Sequence, residues 1–189
     1  MTRIISGTLR SMRLKTAAKS TRPTSDRVKE SVFSILESMG ALEGTRVLDL
    51  FAGTGALGLE AVSRGAASAV FVEKNRETAA VCKQNLDVAE ERLQKANINV
   101  ELNLITKPAE SYLTQGKLSD LAFVDPPYDM SNQQLNGILG NLFGRMEVKI
   151  AVVERSSKSS EPRVKSAQAD LVKNYGETTV YFFVRDDVQ

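Results

Sequence analysis

The chain has 189 residues, enough for one well-formed core and cramped for two full domains. Its hydrophobic content of 42% and charged content of 25% are those of an ordinary globule. No apolar run approaches the roughly 18 residues of a bilayer span, and Met1-Thr2-Arg3-Ile4-Ile5 lacks the apolar core of a signal peptide, so a cytoplasmic protein is expected. The single cysteine, Cys82, rules out an intrachain disulfide, and the absence of histidine removes the commonest transition-metal ligand and the base of Ser-His-Asp and Cys-His sites.

The net charge of +2 is unevenly spread. Residues 1–30 carry eight bases (Arg3, Arg10, Arg13, Lys15, Lys19, Arg22, Arg27, Lys29) against two acids (Asp26, Glu30), which is +6 there and −4 for the rest. Such a segment is either a solvated arm or an electrostatic footprint for phosphates. Residues 3–15 alternate loosely and turn at Gly7, reading as a small basic hairpin. In Arg22-Pro23-Thr24-Ser25-Asp26-Arg27-Val28-Lys29-Glu30, three N-cap types precede apolar positions at helical spacing, which predicts a helix from about 25 to 38.

From Thr45 onward strands and helices alternate. Strands are predicted at 46–50, 69–72, 98–104, 118–124 and 148–153, helices at 57–63, 76–96 and 132–144, and a closing antiparallel hairpin at 171–175 and 178–184 around Gly176; 156–163 is a polar loop. Nearly continuous apolar strands between helices imply a parallel sheet covered on both faces, with ligands beyond the carboxyl ends of its strands.

Three stretches fall at such ends. In Asp49-Leu50-Phe51-Ala52-Gly53-Thr54-Gly55-Ala56-Leu57-Gly58, the glycines allow a tight turn and close approach of a ligand, and the amides opening the next helix favour an anionic group. The match to G-x-G-x-x-G makes a nicotinamide dehydrogenase a rival. Against it, Asp49 would face the pyrophosphate, too little chain remains for a substrate domain, and hydride transfer has no use for Asp125-Pro126-Pro127-Tyr128. An acid at 49 suits a ligand carrying an ammonium group, such as the methionine part of S-adenosylmethionine. Glu73, ending the next strand, can accept from both hydroxyls of a ribose. In Asp125-Pro126-Pro127-Tyr128 the prolines stop the strand and present an acid, carbonyls and a ring together. That set holds a flat group bearing an NH2.

Taken together, Arg22-Pro23-Thr24-Ser25-Asp26-Arg27-Val28-Lys29-Glu30, Asp49 to Ala61 and Asp125-Pro126-Pro127-Tyr128 closely resemble the RsmD family of small-subunit ribosomal RNA guanine-N2 methyltransferases, which use S-adenosylmethionine. The resemblance runs over nearly the whole chain, from Arg3-Ile4-Ile5-Ser6-Gly7 to Tyr175-Gly176-Glu177-Thr178. The acid-Pro-Pro-aromatic motif alone is shared with adenine-N6 and glutamine-N5 methyltransferases. The resemblance implies an α/β, Rossmann-like fold, a mostly parallel seven-stranded sheet with an antiparallel C-terminal hairpin strand (residues 25–189), and a small N-terminal hairpin extension that grips RNA (residues 1–24). It implies that Asp49, Gly53 and Gly55 hold the methionine end of the cofactor, Glu73 its ribose and Lys74 a place beside the adenine, with Phe51 and Leu57 also in contact with the cofactor. Asp125, Pro126, Pro127 and Tyr128 would hold the target base, and Arg3, Arg10, Arg13, Arg22, Arg27 and Lys29 the RNA. One departure concerns the run Thr106-Lys107-Pro108-Ala109-Glu110. The family usually places Asn or Asp where Pro108 stands, so adenine contact falls to the backbone, Ala109 or Glu110. No metal, no membrane and a monomer are expected. The alternatives are an adenine-N6 DNA or glutamine-N5 protein methyltransferase, or a ribosome assembly or RNA-binding factor.

Overall fold

The computed structural model describes residues 2–16, 26–115, 118–146 and 148–185. In chain order the elements are α1 (Asp26–Ser38), β1 (Arg46–Asp49), α2 (Ala56–Ser63), β2 (Ser68–Val72), α3 (Arg76–Lys95), β3 (Glu101–Ile105), α4 (Ala109–Leu113), β4 (Leu121–Val124), α5 (Asn132–Arg145), β5 (Ile150–Ser156), β6 (Ala167–Tyr175) and β7 (Thr178–Arg185). The strands form one sheet in the order β3-β2-β1-β4-β5-β7-β6. The first five run parallel; β7 enters antiparallel between β5 and β6.

Because successive residues of a strand face opposite sides, the apolar runs feed two cores. Val47, Phe71, Phe123, Val152 and Phe182 join Phe33 of α1, Leu59 of α2 and Leu86 of α3 on one face. Leu48, Ala122, Val124, Val153 and Phe183 join Leu113 of α4 and Leu135, Leu139 and Leu142 of α5 on the other. At the amino ends of the strands Asp120 acts as a clip. It accepts from the Arg46 guanidinium at 2.9 and 3.1 Å and from the Arg46 amide at 3.0 Å, with Lys149 Nζ at 3.2 Å. The Arg46 hydrogen bonds hold its carboxyl well below the usual carboxylate range.

The 3–15 segment pairs back on itself only briefly. Arg3 bridges Arg13 antiparallel, with Ile4 N donating to the Met12 carbonyl and Leu14 N to the Thr2 carbonyl, both at 2.9 Å, while the turn between them is held by α2. Ile5 and Ser6 amides donate to the Glu60 carboxylate at 2.7 and 3.0 Å, Thr8 N to the Ser63 carbonyl at 2.8 Å, and Leu9 N to Ser63 Oγ at 2.8 Å. Ile4, Leu9, Met12 and Leu14 are buried in the same core as Phe33 and Phe123. Gly7 makes this seat feasible: its φ is +76°, and a Cβ there would fall 1.7 Å from the Ser63 carbonyl oxygen. The helix α4 was not predicted, being only five residues long and too short to show a periodicity. The sixth strand begins at Ala167 rather than 171, with a register shift between Ala169 and Leu171.

Candidate active site

The order of the sheet reverses at β1: from it the chain goes outward to β2 and β3, then returns to β4 on its other side. Crevices at such switch points are where ligands of open α/β sheets bind. Here Asp49 ends β1 and Asp125 follows β4, so two acids flank the reversal. A cavity of about 310 Å³ opens there, within the usual range for small-molecule sites.

The glycine loop forms its first wall. Gly53 takes φ +54° and Gly55 φ +82°, the latter as N-cap of α2, conformations open to glycine. The loop is tied down at both ends: Ala52 N donates to the Val72 carbonyl at 2.9 Å and Gly55 N to the Ala52 carbonyl at 2.7 Å. Beneath it, Asp49 is buried and accepts from Gly58 N at 3.0 Å. Burial pushes its carboxyl up to about 7, the Gly58 amide opposes the shift, and the charge of Glu73 adds to it. An ionisable acid held this far from its ordinary value gains most from a cationic ligand. Glu73, after β2, accepts from Gly53 N at 3.0 Å and Asn75 N at 2.8 Å, so its carboxylate is fixed between the loop and the start of α3.

The opposite wall is Asp125, Pro126, Pro127 and Tyr128. Asp125 stands open to the cavity although protein surrounds it on the other sides. That surrounding protein, the charge of Glu154 and, more weakly, that of Asp49 raise its carboxyl. Tyr128 is 64% exposed at the rim, where a flat ring meets an incoming base. Lys74, Ala109 and Glu110 line the far end of the cavity, with Lys107. Pro108 is the N-cap residue of α4, so the departure noted in the sequence sits at a helix start and sets Ala109 and Glu110 against the cavity.

The expected cofactor residues Asp49, Phe51, Gly53, Leu57, Glu73, Lys74, Ala109 and Glu110 all line this one cavity together with Asp125 to Tyr128. Gly55 does not line it. It is buried beneath the loop, where a Cβ would come 3.1 Å from Cys82 Sγ. Arg3, Arg10, Arg13 and Arg27 are exposed, and Arg22 lies outside the described residues. Lys29 lies apart from them: only 1% exposed, it belongs to the wall of the cavity rather than to the exposed basic surface. Its ammonium donates to the Arg3 carbonyl and lies 3.9 Å from the Glu60 carboxylate, and burial lowers its pKa.

Three residues of the surroundings carry no role in the sequence reading. Glu60, fully buried in α2, accepts from Ile5, Ser6 and Arg64 Nε at 2.9 Å. Asn85 of α3 joins the N-terminal segment to the glycine loop: its Oδ1 accepts from Lys15 N at 2.9 Å, and its Nδ2 donates to the Lys15 and Thr54 carbonyls at 3.1 and 2.9 Å. Glu154, near the end of β5, neighbours Asp125. A signal was present for the first two, since an acid and an amide interrupt apolar helix faces. Among the described residues no group of acids and cysteine is placed to hold a metal, and no helix is long and apolar enough to cross a membrane.

The seven-stranded order with its reversed last hairpin, and a glycine-loop cavity at the switch point facing Asp125-Pro-Pro-Tyr, define the class as a Rossmann-like methyltransferase fold. Comparison with known proteins is more specific. The family described as Conserved hypothetical protein 95 matches residues 2–184, and the chain belongs to this family, that of RsmD. It is 36% identical over 149 residues to YlbH of Bacillus subtilis, covering 72% of this chain and 71% of that protein. It is 38% identical over 128 residues to ribosomal RNA small subunit methyltransferase D of Escherichia coli K12, covering 67% of this chain and 60% of that one. The structure of the yhhF protein of Escherichia coli superposes with a TM-score of 0.76 at 30% identity over 97% of both chains. At the level of fold alone, the likeness extends to a Synechocystis magnesium protoporphyrin IX methyltransferase with bound S-adenosylmethionine (TM-score 0.63, 12% identity).

Proposed function

We propose that this chain transfers a methyl group from S-adenosylmethionine to the exocyclic N2 amine of a guanine in small-subunit ribosomal RNA. The observation that carries the reading is that one cavity joins the glycine loop, Asp49 and Glu73 to Asp125-Pro126-Pro127-Tyr128. The family membership and the name of the Escherichia coli relative support the RNA substrate; N2 of guanine rests on the resemblance.

Each residue then has a defined task. Asp49 takes the ammonium of the cofactor's methionine part, Glu73 the ribose hydroxyls, and the amides of the glycine loop border its carboxylate. When bound, the cofactor supplies an electrophilic methyl on a sulfonium. The chain's own work is alignment. The Asp125 carboxylate and the Pro126 carbonyl accept the two hydrogens of the target amine, drawing its lone pair out of the ring plane and toward the methyl carbon. Once the amine had taken up the methyl, its surplus proton would pass to Asp125 or to water. Because the positive charge on sulfur is discharged, the step needs no oxyanion hole. Tyr128 stacks on the extruded base, offsetting about 1–3 kcal/mol of the cost of unstacking it. The described part of the N-terminal segment, residues 2–16, grips the RNA, and exposed Arg3, Arg10, Arg13 and Arg27 meet phosphates.

The test is transfer of labelled methyl groups to small ribosomal subunits from cells lacking the modification, with nucleoside analysis of the product. N2-methylguanosine is expected; N6-methyladenosine or methylated glutamine would sink the assignment. Asp125→Ala should lower transfer by roughly 100-fold or more while cofactor affinity is retained.

A further inference from the structure

The prolines that present Asp125 and Tyr128 also loosen the hold on them. Pro126 and Pro127 have no amide hydrogen, so neither can be tied through one to a neighbouring strand. After them the chain closes a tight turn, in which Met130 N donates to the Pro127 carbonyl at 3.0 Å with Tyr128 and Asp129 at the apex. Ser131 then caps α5 in a mutual exchange with Gln134. These bonds are local: they shape the turn and the helix start without joining either to the sheet.

Arg155 supplies that join. β5 outruns its last pair with β4, Val124 with Val153, and over Glu154, Arg155 and Ser156 it is paired with β7 instead, which keeps this stretch of backbone in the sheet. From there the Arg155 side chain, in a residue only 7% exposed, donates from Nη2 to the Met130 carbonyl at 2.9 Å and to Asn132 Oδ1 at 3.2 Å. The first bond holds the residue that closes the turn and that itself lines the cavity. The second holds the first residue of α5, whose Nδ2 donates onward to the Ser160 carbonyl and hydroxyl at 2.7 and 2.8 Å. Meanwhile Nε of Arg155 is buried with no partner among the described residues. A guanidinium that is desolvated and keeps an unpaired N–H is a poor device for stability, since both features cost free energy. What it contributes is the geometry that it fixes.

We infer, building on the methyl-transfer reading, that Arg155 is a positioning residue: it braces the turn at 127–130 against the sheet and thereby sets where Tyr128 and Asp125 meet the target base. Arg155 does not line the main cavity and acts through the Met130 carbonyl, which does belong to a residue of its wall. The guanidinium suits the task because its donors lie in one rigid plane and reach two acceptors at once. An ammonium on a flexible stem could replace the Met130 bond without holding Asn132 in the same plane. Transfer depends on alignment, and a displacement of about 1 Å in a group far from the chemistry can cost roughly 100-fold.

Two measurements test this. The chain contains no tryptophan, so Tyr128→Trp places a lone emitter at the rim. In ligand-free protein its time-resolved anisotropy should show a restrained ring while Arg155 is present, a larger fast component when Arg155→Lys is added, and a larger one still with Arg155→Met. Unchanged anisotropy in both overturns the inference, whatever the reaction is. In protein that keeps Tyr128, kcat for methyl transfer to small ribosomal subunits lacking the modification should fall by roughly 10- to 100-fold in Arg155→Met and by less in Arg155→Lys, with S-adenosylmethionine affinity unchanged by calorimetry. A wild-type kcat in Arg155→Met overturns the inference and leaves the methyl-transfer reading standing. So does a loss of cofactor affinity in step with the loss of transfer, which marks Arg155 as structural. Should Arg155→Met fail to fold, Arg155→Lys carries both measurements. Wild-type protein that transfers no methyl group removes the methyl-transfer reading, and the anisotropy then decides by itself whether Arg155 holds the turn.

Discussion

Asp49 makes the cofactor's affinity a function of pH. In the ligand-free fold its carboxyl is pushed up to about 7 by burial. A cationic ligand binds the ionised form, so the apparent affinity is the intrinsic one multiplied by the ionised fraction. That fraction is roughly 1% at pH 5 and 50% at pH 7, so affinity should strengthen about 50-fold across the interval, or about 2.3 kcal/mol. Above pH 7 the ligand's own ammonium, with an ordinary value of roughly 7.7–8.0, loses its proton and turns the profile down. The sign for stability is opposite. A folded-state carboxyl raised above its unfolded value of 3.8 binds the proton more tightly in the fold, so the ligand-free protein loses stability as pH rises from about 4 toward 7, by at most about 4 kcal/mol. Calorimetric titration of S-adenosylmethionine in two buffers of different ionisation enthalpy measures both affinity and proton release, with about half a proton released at pH 7. Asp49→Asn keeps an acceptor for Gly58 N, removes the titration, and should melt higher than wild type at pH 8 without ligand. Affinity that is flat from pH 5 to 7 in wild type, or equally steep in Asp49→Asn, refutes the reasoning.

Gly7→Ala forces a side chain against the Ser63 carbonyl and should lift the N-terminal segment off α2; trypsin should then cut at Arg10 and Arg13 faster, and an unchanged cleavage rate counts against the seat described. Lys29 and Arg13 should separate cleanly. Lys29→Met disrupts a buried ionic network and should cost about 3 kcal/mol in urea unfolding, whereas Arg13→Ala should leave stability alone and reduce the salt slope of RNA binding by about one.

The parallel strands were legible because strands covered on both faces read as short apolar runs, and β1, β2 and β4 are such runs. The cavity wall was legible for a related reason: Asp49, Glu73 and Asp125 each break an apolar run at a strand's end, where polarity signals a ligand more than a fold. The edge strand β6 was seen only in its second half, since Gln168 and Asp170 leave its first half exposed and polar. That Lys29 sits in the cavity wall and not on the exposed basic surface was hidden because a charge count is blind to distance in the fold; its partner Glu60 stands 31 residues away on another helix. Glu154 was hidden by register: only the pairing of β4 with β5 brings it beside Asp125.

The attachment of the N-terminal segment has a consequence for how such an arm changes over time. Its backbone amides at 5, 6, 8 and 9 are received by Glu60 and Ser63, and the amide and carbonyl of Lys15 by Asn85. The socket reads main chain, so outward side chains such as Arg10 and Arg13 can be exchanged freely while the plug still fits. An arm of altered charge, suited to another stretch of RNA, needs only a glycine at 7 and apolar residues at 4, 9, 12 and 14 to dock on the same body.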